Sequence, residues 1–194
     1  MNYHEIRTDN LINGNSLRTV LWVSGCELAC PHCFNPETWD YNSGKEFTHE
    51  TLQELFDCLD KPYIRGLTLT GGNPLEYKNL ETVYKIIKAV RQRYNCQKDI
   101  WIYTGYTWEE LCAMTKAEYN TKKFGDELLM FAVICRTDVL VDGRFVEALK
   151  DVKYPHAGST NQRVIDVQKS IMKDSSNGQY LNGDGVVLWG QKQL

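Results

Sequence analysis

Three of the seven cysteines fall within one short stretch, Cys26-Glu27-Leu28-Ala29-Cys30-Pro31-His32-Cys33, with the spacing C-x3-C-x2-C. Reduced thiols gathered in one loop bind metal or do redox work. Two metal chemistries match. A [4Fe–4S] cluster takes thiolate ligands, and three cysteines leave one iron open to a small molecule. Structural zinc takes four ligands, commonly in C-x2-C pairs, so His49, His156 or an isolated cysteine would have to complete it. The other cysteines, Cys58, Cys96, Cys112 and Cys135, stand alone in helical or strand-like stretches and read as small buried hydrophobes.

A second stretch, Gly71-Gly72-Asn73-Pro74, is either a plain turn or a place where backbone approaches a ligand with no Cβ in the way. Both stretches follow strand-like runs. Thr19–Val23 and Gly66–Thr70 read as buried strands, and Ile100–Thr104, Phe131–Ile134 and Thr137–Val141 continue the series. Arg163–Val167 and Val186–Trp189 are late strand candidates, separated by a turn at Ser175–Gly178. Between them, Leu52, Leu55, Phe56 and Leu59 mark a helix capped by Thr48, and Leu80, Val83, Tyr84, Ile87 and Val90 mark another. A third opens at Thr107-Trp108-Glu109-Glu110, which has the capping-box form, and residues 113–127 have no clear pattern. Alternating strands and helices predict an α/β fold with a parallel sheet and ligands at the C-terminal strand edge. At 194 residues the chain is short of the roughly 250 of a complete eight-unit barrel, so an incomplete, open (βα) barrel or a doubly wound sheet is expected.

Composition narrows the class. With 42% hydrophobic and 24% charged residues, the chain can bury a core and is neither fibrous nor disordered. The net charge of −3 lacks the basic excess of a phosphate-binding surface, so no nucleic-acid partner is expected. The longest apolar runs, Thr19–Val23 and Leu128–Cys135, fall far short of the roughly 20 residues that span a bilayer. The start, Met1-Asn2-Tyr3-His4-Glu5, has no signal-like pattern, and a cytoplasmic location without membrane attachment follows as an expectation.

Followed by the aromatic Phe34, the cysteine spacing resembles the cluster motif of the radical S-adenosylmethionine superfamily. The resemblance implies one [4Fe–4S] cluster on Cys26, Cys30 and Cys33, with S-adenosylmethionine chelated at the open iron and cleaved to methionine and a 5′-deoxyadenosyl radical. It places His32, Cys33 and Phe34 beside the adenine, with no catalytic residue beyond the cluster and the bound cofactor. Gly71-Gly72-Asn73 resembles the superfamily's Gly-Gly-Glu turn, which holds the cofactor's amino group, although Asn73 stands where an acid is usual. On this reading Gly72→Val weakens cofactor binding and spares the cluster, while Asn73→Asp is mild.

Longer stretches are similar to the activating proteins of anaerobic ribonucleoside-triphosphate reductases. They include Cys33–Trp39, Trp101–Tyr106, Leu140–Phe145 and Gly158-Ser159-Thr160-Asn161-Gln162-Arg163-Val164-Ile165-Asp166. The likeness covers roughly residues 1–110 and 135–170 of a single domain, 1–194. Residues 113–134 then read as an insertion and 171–194 as a C-terminal extension. It implies a protein substrate, the large reductase subunit, in which a glycine becomes a glycyl radical, and an electron donor such as reduced flavodoxin. The competing readings are another glycyl-radical activase, of the pyruvate formate-lyase type, and a non-catalytic iron–sulfur or zinc module. Tyr103, Tyr106, Trp101 and Trp108 are candidates for either pocket or core, Asp142 for a cofactor contact or a turn, and Gly158–Gln162 for a partner loop or a polar turn.

Overall fold

The computed structural model describes residues 1–121, 128–175 and 183–190. The strands are β1 (Asn2–Asn10), β2 (Arg18–Val23), β3 (Lys45–Glu46), β4 (Gly66–Gly71), β5 (Asp99–Tyr103), β6 (Val139–Asp142) and β7 (Arg163–Asp166). The helices are α1 (His49–Leu59), α2 (Tyr77–Tyr94), α3 (Trp108–Thr121), α4 (Leu129–Cys135) and α5 (Val167–Ser175). The strands form one open seven-stranded sheet in the order β3-β1-β2-β4-β5-β6-β7.

The sheet is mixed, which corrects the all-parallel expectation. The four central strands, β2, β4, β5 and β6, run parallel, whereas β1, β3 and β7 join antiparallel at the two sides. Parallel neighbours need helical crossovers, and these are supplied by α1, α2 and the α3–α4 pair. The short link from β1 to β2 and the stretch 143–162 from β6 to β7, which makes no α-helical crossover, each return the chain antiparallel to its neighbour. β1 has no counterpart in the sequence expectation, because its charged residues alternate with half-buried ones.

Alternation along the strands divides the sheet into two faces. Leu21, Val23, Leu67, Leu69, Ile100, Ile102, Leu140 and Ile165 face one layer, where they pack with core residues of all five helices. Burying one such aliphatic side chain contributes about 1.5–3 kcal/mol. Trp101, Val139 and Val141 lie on the other face and pack against Tyr103, Ala157, Val164 and Trp189. No described helix contributes to that second cluster, so the doubly wound alternative does not hold. On the same face the guanidinium of Arg18, closed to solvent, pairs with Asp99 at 2.6 Å and donates to Thr68 Oγ1 at 2.8 Å.

Phe131–Ile134 is helical, not a strand. Short apolar runs do not separate the two states by periodicity, and tertiary context decides here. The buried carboxylate of Glu118 accepts from the N–H groups of Leu129 and Met130, satisfying donors at the start of α4, while Met130, Val133 and Ile134 are buried. The patternless stretch from 113 is helical to Thr121, and the remainder of it, 122–127, lies outside the described residues. The expected strand at Val186–Trp189 is reduced to a bridge between Leu188 and Ile165, flanked by Asp166 N–H to Val187 O and Trp189 N–H to Val164 O. The turn expected at Ser175–Gly178 falls almost entirely outside the described residues. No described helix is long and apolar enough to cross a membrane.

Candidate functional site: a cysteine loop over a strand-edge cavity

Val23 of β2 pairs with Gly71 of β4, so the cysteine stretch and the Gly-Gly-Asn turn leave the sheet side by side at its C-terminal edge. The cysteine loop is tied down at its base. Gly25 N–H donates to Thr38 O at 2.7 Å, and Cys26 N–H donates to Trp39 O at 3.0 Å. Gly25 adopts φ +99°, and a Cβ there would run into the ring of Tyr41. Within the loop, Ala29 and His32 take left-handed backbone conformations, φ 44° and 58°. Cys33 N–H closes back on Cys30 O at 3.1 Å. These tight turns bring Cys26, Cys30 and Cys33 into the wall of one cavity. Burial pushes the Cys26 thiol up from its ordinary range; the backbone N–H groups of Leu28 and Ala29 act against that, and the charge of Glu76 adds to it.

The second wall is locked to the first through the backbone. Gly72 N–H donates to Val23 O and Asn73 N–H to Gly25 O, each at 2.8 Å. A Cβ on Gly72 would lie 2.6 Å from Gly25 O and 3.0 Å from Gly25 N. Glycine is therefore required at 72 for contact between two backbones, one residue from the first cysteine. Asn79, at the start of α2 and 1% exposed, clamps the same junction, donating to Ser24 O at 2.9 Å and to Asn73 O at 3.1 Å.

The cavity measures about 690 Å3. Of the residues singled out in the sequence, Cys26, Cys30, Cys33, Phe34, Gly71, Gly72 and Asn73 line it. His32 is exposed and forms no part of the wall. Asn73 is 1% exposed with its side chain hydrogen-bonded at both ends: Oδ1 accepts from Thr104 Oγ1 at 2.8 Å and from Leu75 N–H at 3.2 Å, and Nδ2 donates to Glu76 Oε1 at 3.3 Å. Tyr103 lines the cavity, whereas Trp101 and Trp108 belong to the core. The Tyr103 hydroxyl and Trp39 Nε1 are buried polar atoms in wall residues with no hydrogen-bond partner among the described residues.

Asp142 is structural. It is 1% exposed, pairs with Arg163 and accepts from Trp108 N–H at 2.8 Å at the start of α3. In the 158–162 turn, Gln162 Oε1 accepts from Gly158 N–H while Nε2 donates to Gly143 O, each at 2.9 Å, and Asn161 Nδ2 donates to Arg144 O at 2.8 Å. Those amides hold Gly158 against Phe34, which packs at a tilt on Phe145 with ring centres 4.7 Å apart. Of the isolated cysteines, Cys112 is buried, Cys58 and Cys135 are half-buried, and Cys96 is exposed, which corrects its reading as a core residue.

The donor set suits an iron–sulfur cluster: three thiols on one short loop, lining a cavity whose facing wall is backbone. Among the described residues no three His, Cys, Asp or Glu side chains converge on a single point, and cluster thiolates, bound to separate irons, do not need to. Glu76, Asn79 and Thr104 also hold this site together and are absent from the sequence reading. Asn79 carried a signal, since it is a polar residue one turn before Val83 on the buried face of α2. Glu76 and Thr104 carried none.

Comparison with known proteins agrees with this site. Residues 12–165 match the family model of the 4Fe-4S single cluster domain, which defines the class. The anaerobic ribonucleoside-triphosphate reductase-activating protein of Enterobacteria phage T4 is 37% identical over 173 residues, 89% of this chain and 99% of that protein. Its namesake from Escherichia coli K12 is 36% identical over 167 residues, 84% of this chain and 97% of that one. The Vibrio cholerae serotype O1 protein is 36% identical over 165 residues, 84% and 96%. The chain belongs to the family of anaerobic ribonucleoside-triphosphate reductase-activating proteins.

Proposed function

We propose that this chain activates an anaerobic ribonucleoside-triphosphate reductase by generating a glycyl radical on its large subunit. It would do so with a [4Fe–4S] cluster on Cys26, Cys30 and Cys33 and S-adenosylmethionine in the adjoining cavity. When bound, the two supply reductive cleavage of a sulfonium bond: one electron enters, methionine leaves, and a 5′-deoxyadenosyl radical takes the Cα hydrogen of a reductase glycine. One observation carries the reading: the cysteine loop and the Gly-Gly-Asn turn are bonded backbone to backbone over a single cavity.

The chain's own residues bind and orient. The backbone of Gly71–Asn73 offers the cofactor's amino end a surface with no Cβ between, while Cys33, Phe34 and the backbone at His32 flank the adenine. Phe34, packed at a tilt against Phe145, gives one side of the cavity an apolar wall. Leu11, Ile12 and Val152, wall residues 66%, 80% and 89% exposed, give the mouth an apolar rim on which a loop of another protein can lie. The electron comes from a small reduced carrier such as flavodoxin, and the cytoplasm is the compartment that keeps such thiols reduced.

The test is anaerobic. Protein reconstituted with iron and sulfide, then given dithionite, S-adenosylmethionine and the reductase, should form 5′-deoxyadenosine and a glycyl-type doublet in electron paramagnetic resonance. Glycine deuterated at Cα in the reductase should pass its label to 5′-deoxyadenosine. A glycyl radical formed alongside unlabelled 5′-deoxyadenosine would refute direct abstraction. Reconstituted protein that yields no 5′-deoxyadenosine would show a non-catalytic module.

A further inference from the structure

Glu76 is a buried carboxylate with no cation to meet it. It is 4% exposed, and among the described residues it forms no ion pair. Its hydrogen-bond partners are neutral: Asn73 Nδ2 at 3.3 Å and Glu27 N–H at 3.4 Å. A buried charge held only by long, neutral contacts is costly, and proteins keep one where a counter-charge arrives. Two of the residues around it, Asn73 and Cys26, line the cavity, whereas Glu76 itself lies behind them. Asn73, which donates to this carboxylate, is thus itself a wall residue of the cavity.

We propose that Glu76 is the counter-charge for a cationic ligand group held against the Gly71–Asn73 wall. The ligand class is one bearing an ammonium or a sulfonium, which is S-adenosylmethionine on the reading above, and the inference rests on that reading. The carboxylate acts through its charge across Asn73, whose amide it holds in the wall by the Nδ2 hydrogen bond, and so it is a positioning residue. Where the turn that Gly71-Gly72-Asn73 resembles carries its acid in the wall, this chain carries an amide in the wall and the acid three residues on.

The test compares two ligands on anaerobically reconstituted protein by equilibrium dialysis: S-adenosylmethionine, and 5′-methylthioadenosine, which has neither ammonium nor sulfonium. Glu76→Gln should weaken S-adenosylmethionine on the order of tenfold, as loss of one partly screened charge at this range would. Methylthioadenosine binding and iron content should stay as in the parent protein. The double variant N73D/E76Q, which returns one acid to the pair, should restore the preference for S-adenosylmethionine. The double variant also decides the matter if the single one fails to fold. The inference is overturned if Glu76→Gln leaves S-adenosylmethionine binding unchanged, if it weakens both ligands equally, or if the double variant folds without the preference. Parent protein that binds no S-adenosylmethionine removes the cofactor reading itself, and this inference with it.

Discussion

The side-chain amide of Asn73 donates to Glu76 Oε1 across 3.3 Å, and both side chains are almost closed to solvent. This pairing reverses what residue chemistry alone suggests for Asn73→Asp. The substitution puts a second carboxylate where the amide donated, and two buried carboxylates at that distance cannot both ionise cheaply. We expect Asn73→Asp to lose about 1–3 kcal/mol at pH 8. Thermal melting at pH 8 checks it, and a variant as stable as the parent there would contradict it.

Gly72 gives a second reversal. The sequence suggests that a larger residue there disturbs only the cofactor contact. A Cβ at 72 would lie 2.6 Å from Gly25 O, backbone that cannot swing aside. Gly25 directly precedes Cys26, so the cysteine loop has to shift. Gly72→Ala should therefore lower the iron bound per chain after reconstitution as well as weaken S-adenosylmethionine. Full iron content with weakened cofactor binding would restore the simpler view.

What was legible in the sequence was local. The C-x3-C-x2-C loop, the strand before it, the Thr48 cap and the Thr107–Glu110 capping box depend on residues a few positions apart, and each is present. What was missed depends on distant partners. Glu118 fixes the start of α4 from the preceding helix, so Phe131–Ile134 is helical although its β-branched residues favour a strand. β1 is held by pairing with β2 and β3, which its alternating charges do not announce. The spacing of Asn79 to Val83 marks it as buried, but its clamp, like the contacts of Glu76 just before α2, forms only when β2 and β4 bring two loops together.

The cysteines divide cleanly. Replacing Cys26, Cys30 or Cys33 by Ala should each remove the broad iron–sulfur absorption, since these three share the cavity wall. Ser at Cys58, Cys96, Cys112 or Cys135 should leave it intact. Cys112→Ser should lower the melting temperature, because it places a hydroxyl in the core, whereas Cys96→Ser, at an exposed site, should not. Iron and sulfide analysis of the seven variants, with melting curves, checks both halves. A full cluster in any two of the three loop variants would defeat the assignment.

His156 couples the wall segment that follows Val152 to pH. Its ring packs edge-on against Trp101 and Trp189, at centre distances of 5.3 Å and 5.7 Å, on the sheet face away from the helices. Burial, with the Arg18 charge adding to it, holds the imidazole below its ordinary value of 6.5. The unfolded chain therefore takes up a proton near pH 6.5 that the folded chain resists. With more protons bound in the unfolded state, stability rises with pH across this window and falls as the pH drops below 6.5. The carboxylates held low by their partners, Glu109 beside Arg163 and Asp60 beside Arg93, lose their contribution only further down, below their ordinary values of 4.5 and 3.8. Between pH 7 and pH 5 the histidine can thus be observed separately from them. His156→Asn, a residue that tolerates the φ of +62° found there, removes the titrating group and leaves the other three histidines in place. The variant should melt lower than the parent at pH 8, from lost ring packing, with a flatter dependence on pH between 7 and 5. Parallel melting curves over that interval would show that the imidazole is not the group responsible.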